Sequence, residues 1–144
     1  MVFRQTFDAN SPWTKDVISR NSEDPSAPNY SILDRLDKFR DSKDKTFEFK
    51  LFWPNNPNLH CQHWKQKSNP TKKSDVTGYI ALSIKHTENQ WDGLKWNGKY
   101  CLIAGSSKSS GLWYYALGSY ISWNGAMPGP QGAVNKVELW VKAS

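Results

Sequence analysis

Thr46-Phe47-Glu48-Phe49-Lys50-Leu51-Phe52-Trp53-Pro54, "TFEFKLFWP", decides the fold. Phe47, Phe49, Leu51 and Trp53 take every second position, and Glu48, Lys50 and Phe52 fill the gaps. A period of two puts the first set on one face of a strand and the second on the other. Pro54 has no N–H to give a ladder and stops the run. The segment therefore reads as a half-buried strand with a polar outer face.

Further strands follow on either side. "HCQHWKQK" (60–67) reads as one, ended by Asn69-Pro70. "VTGYIALSIKH" (76–86) puts Val76, Gly78, Ile80, Leu82 and Ile84 on one side. "YCLIAGS" (100–106) and "LWYYALGSY" (112–120) are two more, separated by a Ser/Gly loop. "NKVELWVKA" (135–143) closes the chain with Val137, Leu139 and Val141 inward and Trp140 facing outward or toward a partner. One helix is legible: Ile32, Leu33, Leu36 and Phe39 share a face, with Asn29 or Ser31 as cap and Asp34 in the first turn. That helix should end at Lys43 to Lys45. Residues 5–30 read as irregular, pinned by Phe3, Phe7 and Trp13, and "MPGPQG" as a rigid turn. With no helices left for parallel crossovers, pairing should be antiparallel. The expected class is mainly β, α+β at the margin. It is a single antiparallel sheet or sandwich domain over residues 1–144, with about six or more strands, one α-helix in the N-terminal half and long loops.

The chain has 144 residues, enough for a core without staples. Eight Trp stand among few aliphatic residues, so rings must supply much of the buried area, roughly 150–250 Å² each. The net charge of +6 comes from 19 Lys and Arg against 13 Asp and Glu, scattered rather than striped, which argues against nucleic acid. No apolar run approaches the roughly 20 residues of a membrane span, so no membrane insertion is expected. Met1-Val2-Phe3-Arg4 opens straight into polar chain, consistent with a cytosolic protein or a mature form with an added Met. Cys61 and Cys101 could bridge, stay reduced or link two chains; no CxxC or Cys/His series surrounds them. Asn29-Tyr30-Ser31 is a formal glycosylation sequon.

Catalysis finds little support. His60 and His63 lack the helical context of a zinc protease, and at strand spacing they point to opposite faces. There is no GxSxG elbow and no phosphate loop. Asp75, Glu88, Asp92 and Glu138 show no spacing that pairs them as acid and nucleophile, so the chain is not read as an enzyme.

Binding is better founded. A sugar offers an apolar C–H face and a ring of hydroxyls, which need an aromatic ring and planar amides or carboxylates. "TENQWDGLKWNGK" supplies Asn89, Trp91, Asp92, Trp96 and Asn97; "SWNGAMPGPQG" supplies Trp123, Asn124 and Gln131. Trp113 and Tyr115 share one face and read as core, which turns Tyr114 outward as a further candidate. The oxygens of Glu88, Asn89 and Asp92 suit a calcium ion without matching an EF-hand loop. Trp91 and Trp96 could equally cover a sheet edge, since large rings are mostly buried.

"NYSILDRLDKF", "FEFKLFWP", "HWKQKSNP", "VTGY", "WDGLKWNGKYCLIAGSS", "WYYALGS" and "VELWV" together resemble a domain of secreted or extracellular proteins of marine invertebrates, chiefly cnidarians. The likeness runs from about Phe3 to Val141. That family includes a galactose-binding sea-anemone lectin, dimeric, with calcium at its sugar site. The resemblance implies a secreted, non-catalytic lectin for galactose-containing glycans or glycoproteins, working as a homodimer or larger assembly. Where members often read "LDGS", this chain has Ile103-Ala104-Gly105-Ser106, which puts calcium dependence in question. In an extracellular setting Cys61 and Cys101, unusual for the family, could pair with each other. An adhesion or matrix module binding protein, and a glycan hydrolase, are the second and third readings.

The loop reading gives a direct test. Trp123→Ala should weaken binding of galactose-terminated glycans in titration calorimetry and leave the melting temperature nearly unchanged; a large stability loss would place the ring in the core.

Overall fold

In the computed structural model of the protein, which describes residues 1–6, 18–85, 90–99, 101–109, 111, 113–118 (113–116 as backbone) and 134–143, the alternating run is strand β4 (Phe47–Phe52). Around it lie β1 (Phe3–Thr6), β2 (Ser19–Arg20), β3 (Tyr30–Ile32), β5 (Gln62–Gln66), β6 (Ile80–Ser83) and β10 (Lys136–Val141). These form a seven-stranded antiparallel sheet in the order β2-β3-β1-β10-β4-β5-β6. A second antiparallel sheet, β7-β8-β9, is built from β7 (Trp91–Trp96), β8 (Ile103–Ser107) and β9 (Trp113–Leu117).

Parity assigns the faces. Phe3 pairs with Leu139, Leu139 with Leu51, and Leu51 with Gln62, while Phe49 pairs with Trp64. All of these side chains are buried. The second sheet adds Trp91, Leu94, Ile103 and Leu117 to the same core, which also takes Leu33 and Leu36. Phe47, Phe49, Trp64 and Trp91 run through it as a chain of rings, Phe47 to Phe49 and Phe49 to Trp64 each at 5.4 Å and Trp64 to Trp91 at 4.7 Å.

The most consequential core residue is polar. Gln66 lies on the inward parity of β5 and is wholly buried. Its Oε1 accepts from the Leu94 amide at 3.0 Å and from Trp64 Nε1 at 2.9 Å. Its Nε2 donates to the Leu94 carbonyl at 3.0 Å and the Ser68 carbonyl at 2.9 Å. All four valences of the carboxamide are met. β7 is an edge of its sheet, and the carboxamide occupies that edge as a short strand would. Gly93 permits this: its φ is +116°, and a Cβ there would stand 2.7 Å from Gln66 Oε1.

Some expectations need correction. The helix is a 3-10 helix, Leu33–Phe39, rather than an α-helix. Leu33, Leu36 and Phe39 are spaced by threes, the repeat that eclipses side chains in 3-10 geometry. Ile32, not Asn29 or Ser31, is its cap, and it ends at Phe39, short of Lys43. Asn29 instead accepts from the Thr6 amide at 2.9 Å and is buried, so its sequon is closed off in the folded chain. The described part of residues 5–30 contributes β2, the end of β1 and the start of β3, strands too short to show a period. Phe3 is the buried anchor expected of it; Phe7 and Trp13 lie outside the described residues. Trp91–Trp96, read as loop, is a strand whose register shifts between Trp91 and Leu94, which erases the alternation.

Gln66→Leu should cost about 3 kcal/mol or more, because three buried partners, Leu94 N–H, Leu94 C=O and Trp64 Nε1–H, each lose a bond worth about 1–3 kcal/mol when left unmet. Urea unfolding measures it; Lys43→Ala, at an exposed position, should move the midpoint by less than about 0.5 kcal/mol equivalent.

Candidate functional site

The outward parity of the large sheet builds an open site. Trp140 on β10 stands opposite Lys50 on β4, and Lys50 opposite His63 on β5, one row across three strands. Glu48 lies two positions along β4 from Lys50. Trp140 is 43% exposed, against burial of Leu139 beside it. With Glu48, Lys50, His63, Val141 and Lys142 it lines a groove of about 370 Å³. That volume is within the range of small-molecule sites, roughly 300–1,000 Å³.

The ring is held from behind. Trp140 Nε1 donates to Glu138 Oε1 at 3.1 Å, and Arg4 Nε donates to Glu138 Oε2 at 2.7 Å. Arg4 Nη1 reaches the Pro25 and Ala27 carbonyls at 2.8 and 3.1 Å. The indole's one polar atom is therefore satisfied within the sheet, and its carbon surface is what it offers the groove. His63 Nε2 lies 2.9 Å from Glu48 Oε1, and Lys142 Nζ is 3.5 Å from Glu48 Oε2. Burial alone would raise the Glu48 carboxyl, but the His63 hydrogen bond and the Lys142 charge outweigh it and hold it below its ordinary range. Glu48 is thus an anion at neutral pH. Lys50 has no hydrogen-bond or ion-pair partner among the described residues.

The residues singled out from sequence fall elsewhere. Trp91 is 3% exposed, packed edge-on against Trp64 and, at 5.9 Å, against Tyr79. It is core and no platform for a sugar, because the register shift beside it turns Trp91 and Leu94 both inward. Asp92 is half-buried on β7, its Oδ1 without a hydrogen-bond partner among the described residues. Burial and then the Asp92 charge push the Tyr79 hydroxyl up to about 12. Trp96 is half-buried, with Lys73 Nζ 4.8 Å from its ring centroid and Gly98 against its six-membered ring. Asn97 belongs to the β7–β8 turn: its amide donates to the Leu102 carbonyl and its Oδ1 accepts from the Lys99 amide, both at 2.9 Å. These four residues lie along one strand and its turn and serve the hairpin. Glu88, Asn89, Trp123, Asn124 and Gln131 lie outside the described residues, as does the Tyr114 side chain.

Among the described residues no three metal-ligating side chains converge. Asp92 alone cannot provide the six to eight oxygens calcium takes. Glu88 and Asn89, the other two expected ligands, lie outside the described residues, and no contact in the groove is assigned to calcium.

Of the states that the sequence leaves open for Cys61 and Cys101, the structure has both free rather than bridged to each other. Cys61 precedes β5 on the large sheet, whereas Cys101 is buried in the β7–β8 turn of the small one. A bridge needs Cα atoms within about 7 Å and Cβ atoms that face each other. Burial pushes the Cys101 thiol up to about 12; burial also raises Cys61, with the Lys50 charge opposing it, so both thiols are protonated at neutral pH and Cys101 is in addition shielded from solvent.

A second hollow of about 360 Å³ is lined by Pro57, Asn58, Leu59, His60, Cys61 and Lys85. His60 Nε2 lies 2.8 Å from Ser83 Oγ there. Among the described residues no carboxylate orients this histidine, so the pair lacks the third member that activates a serine.

Trp140 was readable from its phase in "VELWV", opposite to Val137 and Leu139. The polar companions were not, since nothing in sequence brings Glu48, Lys50 and His63 beside it without the strand order. A scan of family models, a search of curated proteins and a search of solved structures each returned no match to the chain.

Two free thiols make a clean check. Denatured without reductant and treated with iodoacetamide, the chain should take up two carbamidomethyl groups by mass spectrometry; in the native state Cys101 should resist the reagent.

Proposed function

We propose that this protein is a non-catalytic carbohydrate-binding module that receives a sugar in the Trp140 groove. The observation that carries the reading is the half-exposed indole, its N–H already taken, beside an ionised carboxylate and an imidazole. The ring packs against the C–H face of a pyranose, and Glu48 and His63 meet its hydroxyls. Galactose-type sugars are the class to try first, on the strength of the family resemblance, which also supports secretion and a homodimer whose paired sites add avidity.

The groove lining contains one carboxylate, Glu48, among the described residues, whereas hydrolysis of a glycosidic bond takes two. That favours binding over the hydrolase reading. The adhesion reading draws on β6, an edge of the large sheet where Ile80 is 54% and Leu82 45% exposed. Such an edge suits a protein partner, but no aromatic ring lies on β6 itself to stack on a sugar.

A glycan array followed by calorimetry, with and without chelator, separates the readings. The protein should bind galactose-terminated glycans in either condition, and Trp140→Ala should weaken this about tenfold or more, the worth of a stacked ring, while the chain still melts cooperatively. An array silent for the wild type, or a Trp140→Ala variant that binds undiminished, would overturn the proposal. Loss on Trp123→Ala alone would move the site to the 119–133 segment.

A further inference from the structure

We infer that the sugar taken by the Trp140 groove carries an anionic group, a sulfate ester or a carboxylate, placed over Lys50. The inference rests on the carbohydrate reading above and extends it to the class of glycan.

The cations of this face are not equally committed. Arg4 is consumed by Glu138 and two carbonyls. Lys65 pairs with Asp44 at 3.2 Å. Lys142 is drawn to Glu48, whose other oxygen is held by His63. Among the lysines that line the groove, Lys50 is the one with no hydrogen-bond or ion-pair partner among the described residues; it stands in the middle of the row between Trp140 and His63, with the Cys61 thiol in its field. The groove lining as a whole carries two lysines against one carboxylate. The Glu48 charge is offset by Lys142, 3.5 Å away, which reduces its repulsion of an arriving anion.

Adjacent strands stand roughly 4.8 Å apart. A pyranose stacked on Trp140 therefore brings a ring substituent above the neighbouring strand, where the Lys50 side chain rises. A neutral sugar there would displace water from an ammonium and return only hydroxyl contacts. A sulfate or carboxylate returns a charge-assisted bond. The chain's net charge of +6 adds attraction at longer range.

The test uses three probes: a neutral galactose-terminated disaccharide, the same disaccharide sulfated on galactose, and digalacturonate. Each is titrated into the full chain at about 0.1 M and about 1 M salt, where screening lengths are about 10 and 3 Å. At low salt one or both anionic probes should bind about tenfold tighter than the neutral one, the worth of one charge-assisted hydrogen bond. High salt should shrink that ratio. Lys50→Gln should bring it near one, and Lys50→Arg should keep it. Preference for the sulfated probe alone identifies a sulfate ester; preference for digalacturonate alone identifies a carboxylate. Equal affinity for all three probes, each lost in Trp140→Ala, would sink the anionic inference and leave the carbohydrate reading intact. An anionic preference untouched by Lys50→Gln would sink it too. No binding of any probe to the wild type would end both.

Discussion

The carboxamide of Gln66 ties the two layers of this fold in register. Stacked sheets lie about 10 Å apart and present no backbone groups to each other across the core, so apolar packing fixes their separation and leaves their relative slide less defined. Gln66 adds direction. It gives Leu94 a donor and an acceptor in the geometry of a neighbouring strand, and the Trp64 indole completes its oxygen. The arrangement is worth more than its count of bonds suggests, because each member is buried and would be stranded without the others. Gly93 is the backbone's concession to it, the position at which a side chain would occupy the space of the carboxamide oxygen.

The same device recurs at the other edge of the small sheet. Gln5, inward on β1 and buried, accepts from the Gly118 amide at 2.7 Å, just past the end of β9. Gln62, at the far end of β5, accepts from the Lys85 amide at 3.0 Å after β6. Three glutamines on the core face of the large sheet thus pin backbone that its own ladders do not reach. They blunt strand edges that would otherwise invite foreign strands. They also explain how a chain short of aliphatic residues keeps a defined core: rings fill it, and amides orient it.

What sequence could reveal follows from these residues. The alternation in "TFEFKLFW" and "KVELWV" was clear because both strands are central, with one face buried. In "QHWKQ" the parity of Trp64 places Gln62 and Gln66 inside, yet a polar residue weakens a hydrophobic count, so the key contact is invisible to a reading that looks for apolar periods. β7 was hidden by its bulge at Gly93, and the Trp, Asp and Asn around it mimic a sugar-binding loop. Trp91 was misplaced for that reason. Trp140 carried the correct signal in its phase alone. Its companions belong to strands some 75 to 95 residues away in sequence, and only the order β10-β4-β5 makes them neighbours.

Core and groove share one constraint. Each strand that lines the groove also carries a core row one residue away: Leu139 beside Trp140, Phe49 and Leu51 beside Lys50, Gln62 and Trp64 beside His63. A slip of one residue in β5 would carry His63 and Lys65 inward and put Gln62, Trp64 and Gln66 in water. The bonds from Gln66 to Leu94 and from Gln62 to Lys85 forbid that slip. On β10 the Arg4–Glu138–Trp140 series does the same from the outer side, tying the indole to a carboxylate whose own position depends on the loop carbonyls of Pro25 and Ala27. The hydrogen bonds that give the core one register therefore also fix the spacing of ring, ammonium and imidazole across the groove. A site placed on the rigid face of a sheet has its geometry set before any ligand arrives, and a ligand that fits it loses less in ordering than one that must organise a loop.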